Sequence, residues 1–323
     1  MKRVGCLGLF AGLALIAALF ALVQMWSGAG PLEADRNVVV PEGASLTRAA
    51  EEMERAGAIT SARRFVLLSK LLGGSDPIRA GEYPIPAGIS QADLLELMQQ
   101  GKVVQRLVAV PEGLPSVLVH EALMRAPELT GKVAVPEEGS VLPDSYSYER
   151  GETRAAVLAR MQQAMDRYLA DAWKRRKPGL VVTTPHEAVI LASIVEKETA
   201  KEAERRTVAA VYSNRLRQGM RLQADPTIIY PLTKGRPLGR RIRRSEVRAV
   251  NGYNTYSMAG LPQGPIANPG RASIDAVLNP AESSALYFVA DGTGGHVFAD
   301  TLEQHNANVA KWYAIRRARG EME

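Results

Sequence analysis

The chain predicts an α+β architecture in three parts: one N-terminal apolar helix, a small βαα module and a larger mixed α+β domain. Three observations carry this. Residues 4–26 are apolar except Gln24. A strand–turn–helix pattern occurs near residue 38 and again near residue 83. Beyond residue 150, long segments with 3.6-residue periodicity alternate with loops stiffened by proline and glycine, and two short apolar runs near the C-terminus read as strands. The expected divisions are a tip at 1–3, an apolar helix at 4–26, a linker at 27–37, the module at 38–110 and the larger domain at 111–323.

Roughly 20 apolar residues are enough to cross a bilayer as a helix. Lys2, Arg3 and Trp26 suit its two interfaces, with the cationic end inside. The alternative is a cleaved signal peptide, which has a shorter apolar region and a small-residue cleavage site. No Ala-x-Ala site follows Trp26, and Cys6 lies too early for a lipoprotein signal. The expectation is an uncleaved single-pass anchor. In a bacterium it would sit in the cytoplasmic (inner) membrane, with everything after residue 30 outside the cytoplasm.

Hydrophobic residues make up 46% of the 323, ample for real cores, and Cys6 is the only cysteine. The region after the anchor therefore has no disulfide and no thiol nucleophile. The net charge is +6. Outside a membrane this points to anionic lipid or anionic wall polymer, with no nucleic acid as partner.

In the module, Val38-Val-Val-Pro-Glu-Gly43 leads into a helix from Ser45, and Tyr83-Pro-Ile-Pro-Ala-Gly88 into a helix from Ser90. Each reads as strand, Pro-x-Gly turn, serine cap and amphipathic helix closed by glycine. The apolar stripes are Leu46, Ala49, Ala50 and Met53 in the first helix, and Leu94, Leu95, Leu97 and Met98 in the second. A third strand and turn, 107–113, opens a helix at Pro115. Two readings stand: a common turn used three times, or a βαα module that resembles LysM, a fold that binds the N-acetylglucosamine backbone of glycans. No aromatic platform for sugar is visible in it.

Pro136 breaks the pattern, and residues 141–148 read as a polar-aromatic loop. Residues 153–177 read as a long helix with Val157, Met161, Ala164, Met165 and Tyr168 inward. The basic run 174–177 suits its C-terminal dipole. Thr184 then caps a helix with Pro185 in its first turn and Glu187 at the reciprocal capping position. Ala188, Leu191, Ile194 and Val195 share one face, and Glu198 falls on it, whereas Glu196 points roughly the other way. A carboxyl held against apolar neighbours stays protonated to higher pH, as a general acid requires. The plainer reading is a glutamate at the edge of the face that reaches solvent or a salt bridge. A second helix covers 203–218. Residues 251–256 and the loops 260–266 and 268–270 are rich in side chains that grip hydroxyls. Residues 285–290 and 292–298 read as a strand and a hairpin turn into a second strand.

Taken in order, Glu138-Gly139, Pro143-Asp144, Ala192-Ser-Ile-Val-Glu-Lys-Glu-Thr199, Asn214-Arg-Leu216 and Gly219-Met-Arg-Leu-Gln223 form the first part of a longer pattern. It continues through Asp225-Pro-Thr227, Tyr253-Asn-Thr-Tyr256, Gly260-Leu-Pro262, Gly264-Pro-Ile266, Asn268-Pro-Gly270, Tyr287-Phe-Val-Ala290, Gly294-Gly-His296 and His305-Asn306. This pattern resembles the endolytic murein transglycosylases, the MltG or YceG-like family, over most of the chain. The resemblance implies a membrane-anchored lytic transglycosylase acting on nascent peptidoglycan. Its catalytic acid would be the second glutamate of Glu-Lys-Glu-Thr, Glu198. Gln223, Asp225, Asn254, Tyr256 and His296 are the candidates for holding substrate. No cofactor and no metal are expected. The implied partners are glycan strands, the membrane and the peptidoglycan synthases known as penicillin-binding proteins. Two departures stand out: Ser140-Val-Leu142 where the family has an aromatic, and Asn251-Gly252 where Ser-Pro is common. The loop 234–248 carries seven cations, read either as solvated or as touching anionic lipid or wall polymer.

A two-carboxylate glycosidase would need an opposing partner for Glu198. Glu202 is nearby in sequence, but one turn along is a poor opposing position. Ser-x-x-Lys, Gly-x-Ser-x-Gly, His-Glu-x-x-His and Walker-type loops are all absent. The remaining alternative is a non-catalytic, membrane-anchored peptidoglycan-binding scaffold.

Overall fold

The structure is a computed structural model that describes the backbone of residues 2–321 and the side chains of 12–321. It divides into two compact units. One is Met1–Arg106 with Tyr148–Gly151, the other Leu107–Ser147 with Glu152–Glu323. Both mix helices with small two-stranded sheets, the expected α+β class.

The first unit opens with α1 (Lys2–Ser27). Among the described residues no helix is long and apolar enough to cross a membrane. The side chains of residues 4–11, the first part of the expected anchor, lie outside the described set. After α1 come β1 (Arg36–Val40), α2 (Leu46–Arg55), α3 (Ala62–Leu72), β2 (Gly81–Ile85) and α4 (Gln91–Gln100). β1 and β2 pair antiparallel, Val38 opposite Tyr83. Their inward side chains Val38, Val40, Tyr83 and Ile85 bury against Ala49, Ala50, Met53, Phe65 and Leu94. Ser45 and Ser90 cap as the sequence predicts, accepting from the N–H of Arg48 and Asp93. α4 ends on Gly101 at φ +68, a left-handed position that suits glycine. The chain packs on this unit at Trp26 and again within the expected linker, 27–37. Trp26 packs on Phe65 at 6.4 Å between ring centroids. Gly88 N–H donates to the Leu32 carbonyl at 2.8 Å, and Leu32 is buried.

β3 (Arg106–Val110) pairs with β4 (Asp144–Tyr148), and all but their residues Arg106 and Tyr148 belong to the second unit. Residues 144–148 were expected within a loop. Only Tyr148 of that strand is buried, so its composition hides the pairing. The helices are α5 (Ser116–Arg125), α6 (Arg154–Lys174), α7 (Pro185–Glu198), α8 (Glu202–Arg217), α9 (Pro226–Thr233), α10 (Arg244–Val247), α11 (Arg271–Leu278) and α12 (Leu302–Ala318). β5 (Tyr287–Ala290) and β6 (His296–Ala299) form the hairpin expected near the C-terminus. α7 is the hub, packed against α6, α8, α9 and α11. Every residue from Ala188 to Val195 is buried, so this helix is apolar all round, not one-sided.

Candidate active site

The local chemistry of α7 fixes where Glu198 sits. Thr184 accepts the Glu187 N–H at 3.1 Å, and Pro185 occupies the first turn. Glu187 reaches back one residue further than the expected box, accepting from the Thr183 N–H and hydroxyl at 2.6 and 2.8 Å. The helix ends at Glu198 because Thr199 turns extended, at φ −139. Glu198 therefore lies at the negative end of the helix dipole, which disfavours a carboxylate.

Its surroundings disfavour the charge further. Glu198 Oε1 has no solvent exposure and no hydrogen-bond partner among the described residues. Burial raises the carboxyl from its ordinary value to about 7, opposed by the Tyr212 hydroxyl, helped by Asp225 and opposed again by Arg215. Both opposing groups come from α8. Tyr212 is 1% exposed, and its own hydroxyl is pushed far up by burial and by the Glu198 charge. Arg215 is held by three carbonyls: Nε donates to Leu286 at 2.7 Å, and one amino group donates to Leu222 at 2.8 Å and Arg221 at 3.4 Å. Its guanidinium also lies over the Tyr287 ring at 5.3 Å. Burial lowers its proton affinity, yet an arginine keeps its charge in proteins. A fixed cation thus stands beside a carboxyl poised near neutrality.

The solvent side is formed by residues after α8. Asp225 is exposed and accepts from the Tyr256 hydroxyl at 2.6 Å. Burial, then Asp225 and Glu198, push that hydroxyl up and keep it a donor. Gln223 is exposed at φ +55, a left-handed conformation that is costly for a residue other than glycine. Its N–H donates to the Thr255 carbonyl at 3.2 Å, which ties this turn to the Tyr256 loop.

Two candidate substrate residues lie elsewhere. Asn254 is fully buried. Its amide donates to the carbonyls of Glu246, Val247 and Ala249 at 3.3, 3.0 and 2.6 Å, and its oxygen accepts the Tyr256 N–H at 3.0 Å. All its hydrogen-bonding groups serve the loop, so it positions Tyr256 and has nothing left for sugar. His296 Nδ1 lies 2.8 Å from Glu204, and the ring meets Phe288 edge-on at 5.1 Å. These contacts lock the hairpin onto the start of α8. Glu196 does point away from Glu198, but not to solvent: its side chain is 6% exposed, accepts the Gly270 N–H at 2.9 Å and lies 3.7 Å from Arg205.

The sequence alone marks no role for Tyr212 or Arg215. Their one signal is the i, i+3 spacing on a helix, with Arg215 inside the Asn-Arg-Leu motif. Another carboxyl, the half-buried Glu138, accepts the Ser116 N–H at 2.8 Å. Burial raises its proton affinity against that bond and the Tyr230 hydroxyl. Two cations of the basic loop are paired within this unit, Arg236 with Glu121 and Arg240 with Glu246, as a solvated loop would have them.

Comparison with known proteins agrees on one family. The profile of the YceG-like family matches residues 38–311. Two proteins named endolytic murein transglycosylase, from Streptococcus pneumoniae strains D39 and R6, are 28% identical in a match that covers 85% of this chain and 58% of each of theirs. The chain thus spans less than two thirds of those relatives. One of the same name from Bacillus subtilis is 26% identical, covering 88% of both chains. The crystal structure of a putative yceG-like protein from Listeria monocytogenes matches with a TM-score of 0.54 and 26% identity, covering 84% of this chain and 98% of that one.

Proposed function

The chain belongs to the YceG-like family, and from that premise we propose that it is a lytic transglycosylase of peptidoglycan with Glu198 as its single acid and base. The observation that carries the reading is a carboxyl with a buried, unpartnered oxygen and a proton affinity raised to about 7. The names of the relatives support the substrate class.

The chemistry needs one carboxyl. Protonated Glu198 gives its proton to the oxygen linking N-acetylmuramic acid C1 to N-acetylglucosamine, and that C1–O bond breaks. Glu198, now a carboxylate, takes the proton of the muramoyl 6-hydroxyl. The 6-oxygen bonds to C1 and leaves a 1,6-anhydro end, with no water consumed. Arg215 steadies the carboxylate in the interval. Asp225, carrying the Tyr256 hydrogen bond, faces the positive charge that develops near C1, and Gln223 holds the sugar beside it.

The finer parts of the proposal concern place. The apolar run 4–26 supports a single-pass anchor in the bacterial inner membrane, with the active site outside the cytoplasm and wall synthases as neighbours. The β1–α2–α3–β2 order supports a LysM-like module.

The test is digestion of purified peptidoglycan by the full chain, with mass spectrometry of the ends. Anhydro-muramoyl products from the wild type, and their loss in Glu198→Gln, are expected. Binding without cleavage would leave the scaffold reading in its place, and reducing ends would mean hydrolysis.

A further inference from the structure

On the second unit a cavity of about 540 Å³ is walled by Arg175, Glu202, Arg205, Arg206, Asp275 and Asn279 among others. We propose that this pocket binds a carboxylate of the peptide stem carried by the glycan. The proposal rests on the reading of peptidoglycan as substrate.

Arg205 is the core of the argument. It is 8% exposed, and its Nε is buried without a hydrogen-bond partner. Its nearest carboxylates are Glu196 at 3.7 Å and Glu112 at 3.9 Å. Both are beyond hydrogen-bond length and both lie against one amino group. Glu196 is also engaged by the Gly270 N–H. A guanidinium has five N–H donors in a planar fork, so a buried one with so few acceptors is under-satisfied, at a cost that an incoming anion removes.

The rim repeats the charge. Arg175 and Arg206 are exposed beside it. Arg206 Nε donates to the Asn279 carbonyl at 2.7 Å and Arg175 Nε to the Asp171 carbonyl at 3.3 Å, which ties down one nitrogen of each guanidinium in the pocket wall. Arginine is the side chain whose geometry matches a carboxylate in a two-point grip. Glu202 and Asp275 on the same wall disfavour a polyanion and suit a carboxylate that travels with an amine, as amino-acid stems do.

Position makes the pocket useful. Arg205 follows Glu198 by seven residues, on the helix that also supplies Tyr212 and Arg215. A stem gripped there orients the muramoyl residue from which it branches.

Calorimetry with the full chain tests this, using a disaccharide-tripeptide with free carboxyls and the same compound with its carboxyls amidated. The free form is expected to bind about tenfold tighter to the wild type, and Arg175→Gln and Arg206→Gln each remove most of that preference. Arg205→Lys, checked for folding by circular dichroism, removes it too. Equal affinity of the wild type for both compounds overturns the proposal, as does a preference that survives Arg175→Gln combined with Arg206→Gln. Carboxylate-dependent binding without anhydro products overturns the transglycosylase reading and leaves the pocket standing.

Discussion

At the scale of single residues, Glu198 carries two pH predictions. A carboxyl raised to about 7 can serve as the proposed acid only while protonated. Cleavage should therefore fall about tenfold per pH unit well above 7, and a pH–rate profile that stays flat to pH 9 would show that Glu198 is not the acid. The stability effect has its own sign. The folded group holds its proton up to about 7, the unfolded one only to its ordinary value of 4.5. Stability from this group is whole below 4.5 and lost as pH rises through 7, by on the order of 3 kcal/mol. Glu198→Gln, which never ionises, should match the wild type in denaturant melts at pH 4 and exceed it at pH 8. Glu196→Gln behaves differently. It takes away one of two carboxylates within 4 Å of the buried Arg205 and leaves Glu112 at 3.9 Å, whereas a buried pair broken outright costs about 3–5 kcal/mol. The retained amide oxygen still accepts from Gly270, so a loss below that range is expected in urea melts, with turnover per folded molecule largely kept. The buried Oε1 of Glu198 was legible in that the wheel puts it on an apolar face, although α7 is buried on every side from Ala188 to Val195. The fate of Glu196 was not, because a wheel gives direction but not the Arg205 and Gly270 that wait there.

At the scale of elements, legibility followed how local the cause was. α2, α4, α6 and α7 announce themselves through caps and apolar periodicity, and each lies within a few residues of its expected span. α12 has no buried residue and hence no stripe to read. α9 is eight residues long with Pro231 inside. β4 becomes a strand only because β3 is there to pair with it. Asn254 shows the same limit at the site: its amide looks like a sugar ligand in sequence and is spent on three carbonyls of its own loop. Asn254→Ala leaves those carbonyls and the Tyr256 N–H without their partner, at about 1–3 kcal/mol for each group that stays buried. Urea midpoints should fall, and Tyr256 should lose its place on Asp225, so cleavage drops more than the fraction unfolded explains. Gly139 is the matching backbone case. It sits at φ +78, and an added Cβ would come within 2.8 Å of Pro265 and Val189. Gly139→Ala should cost more than the ordinary penalty of about 1 kcal/mol for a left-handed alanine, measured the same way.

At the scale of the whole molecule, the question is what the N-terminal apolar helix does to the chemistry. A spacer of eleven residues, if fully extended, would reach about 40 Å, enough to let the first unit roam. The structure removes most of that slack. Trp26 rests on Phe65, and Gln91 Nε2 donates to the Met25 carbonyl at 2.9 Å. The chain from Gly30 to Leu32 is pinned to Gly88 by two backbone hydrogen bonds. If residues 4–26 lie in the membrane, the first unit is held at its surface by packing, not by a loose tether. The proposal of an anchored enzyme among wall synthases then carries its own expectation, that it acts on glycan strands still close to the membrane. Replacing residues 1–26 with a cleavable export signal in cells removes the hold and keeps the rest of the chain. Strands should then lengthen toward those of a strain lacking the protein, read from glycan length profiles at matched abundance. Trp26→Ala, which keeps an apolar run but loosens its junction with the first unit, should give an intermediate length. Equal shortening by the freed and the anchored forms would show that the position of the active site relative to the membrane does not set where it cuts.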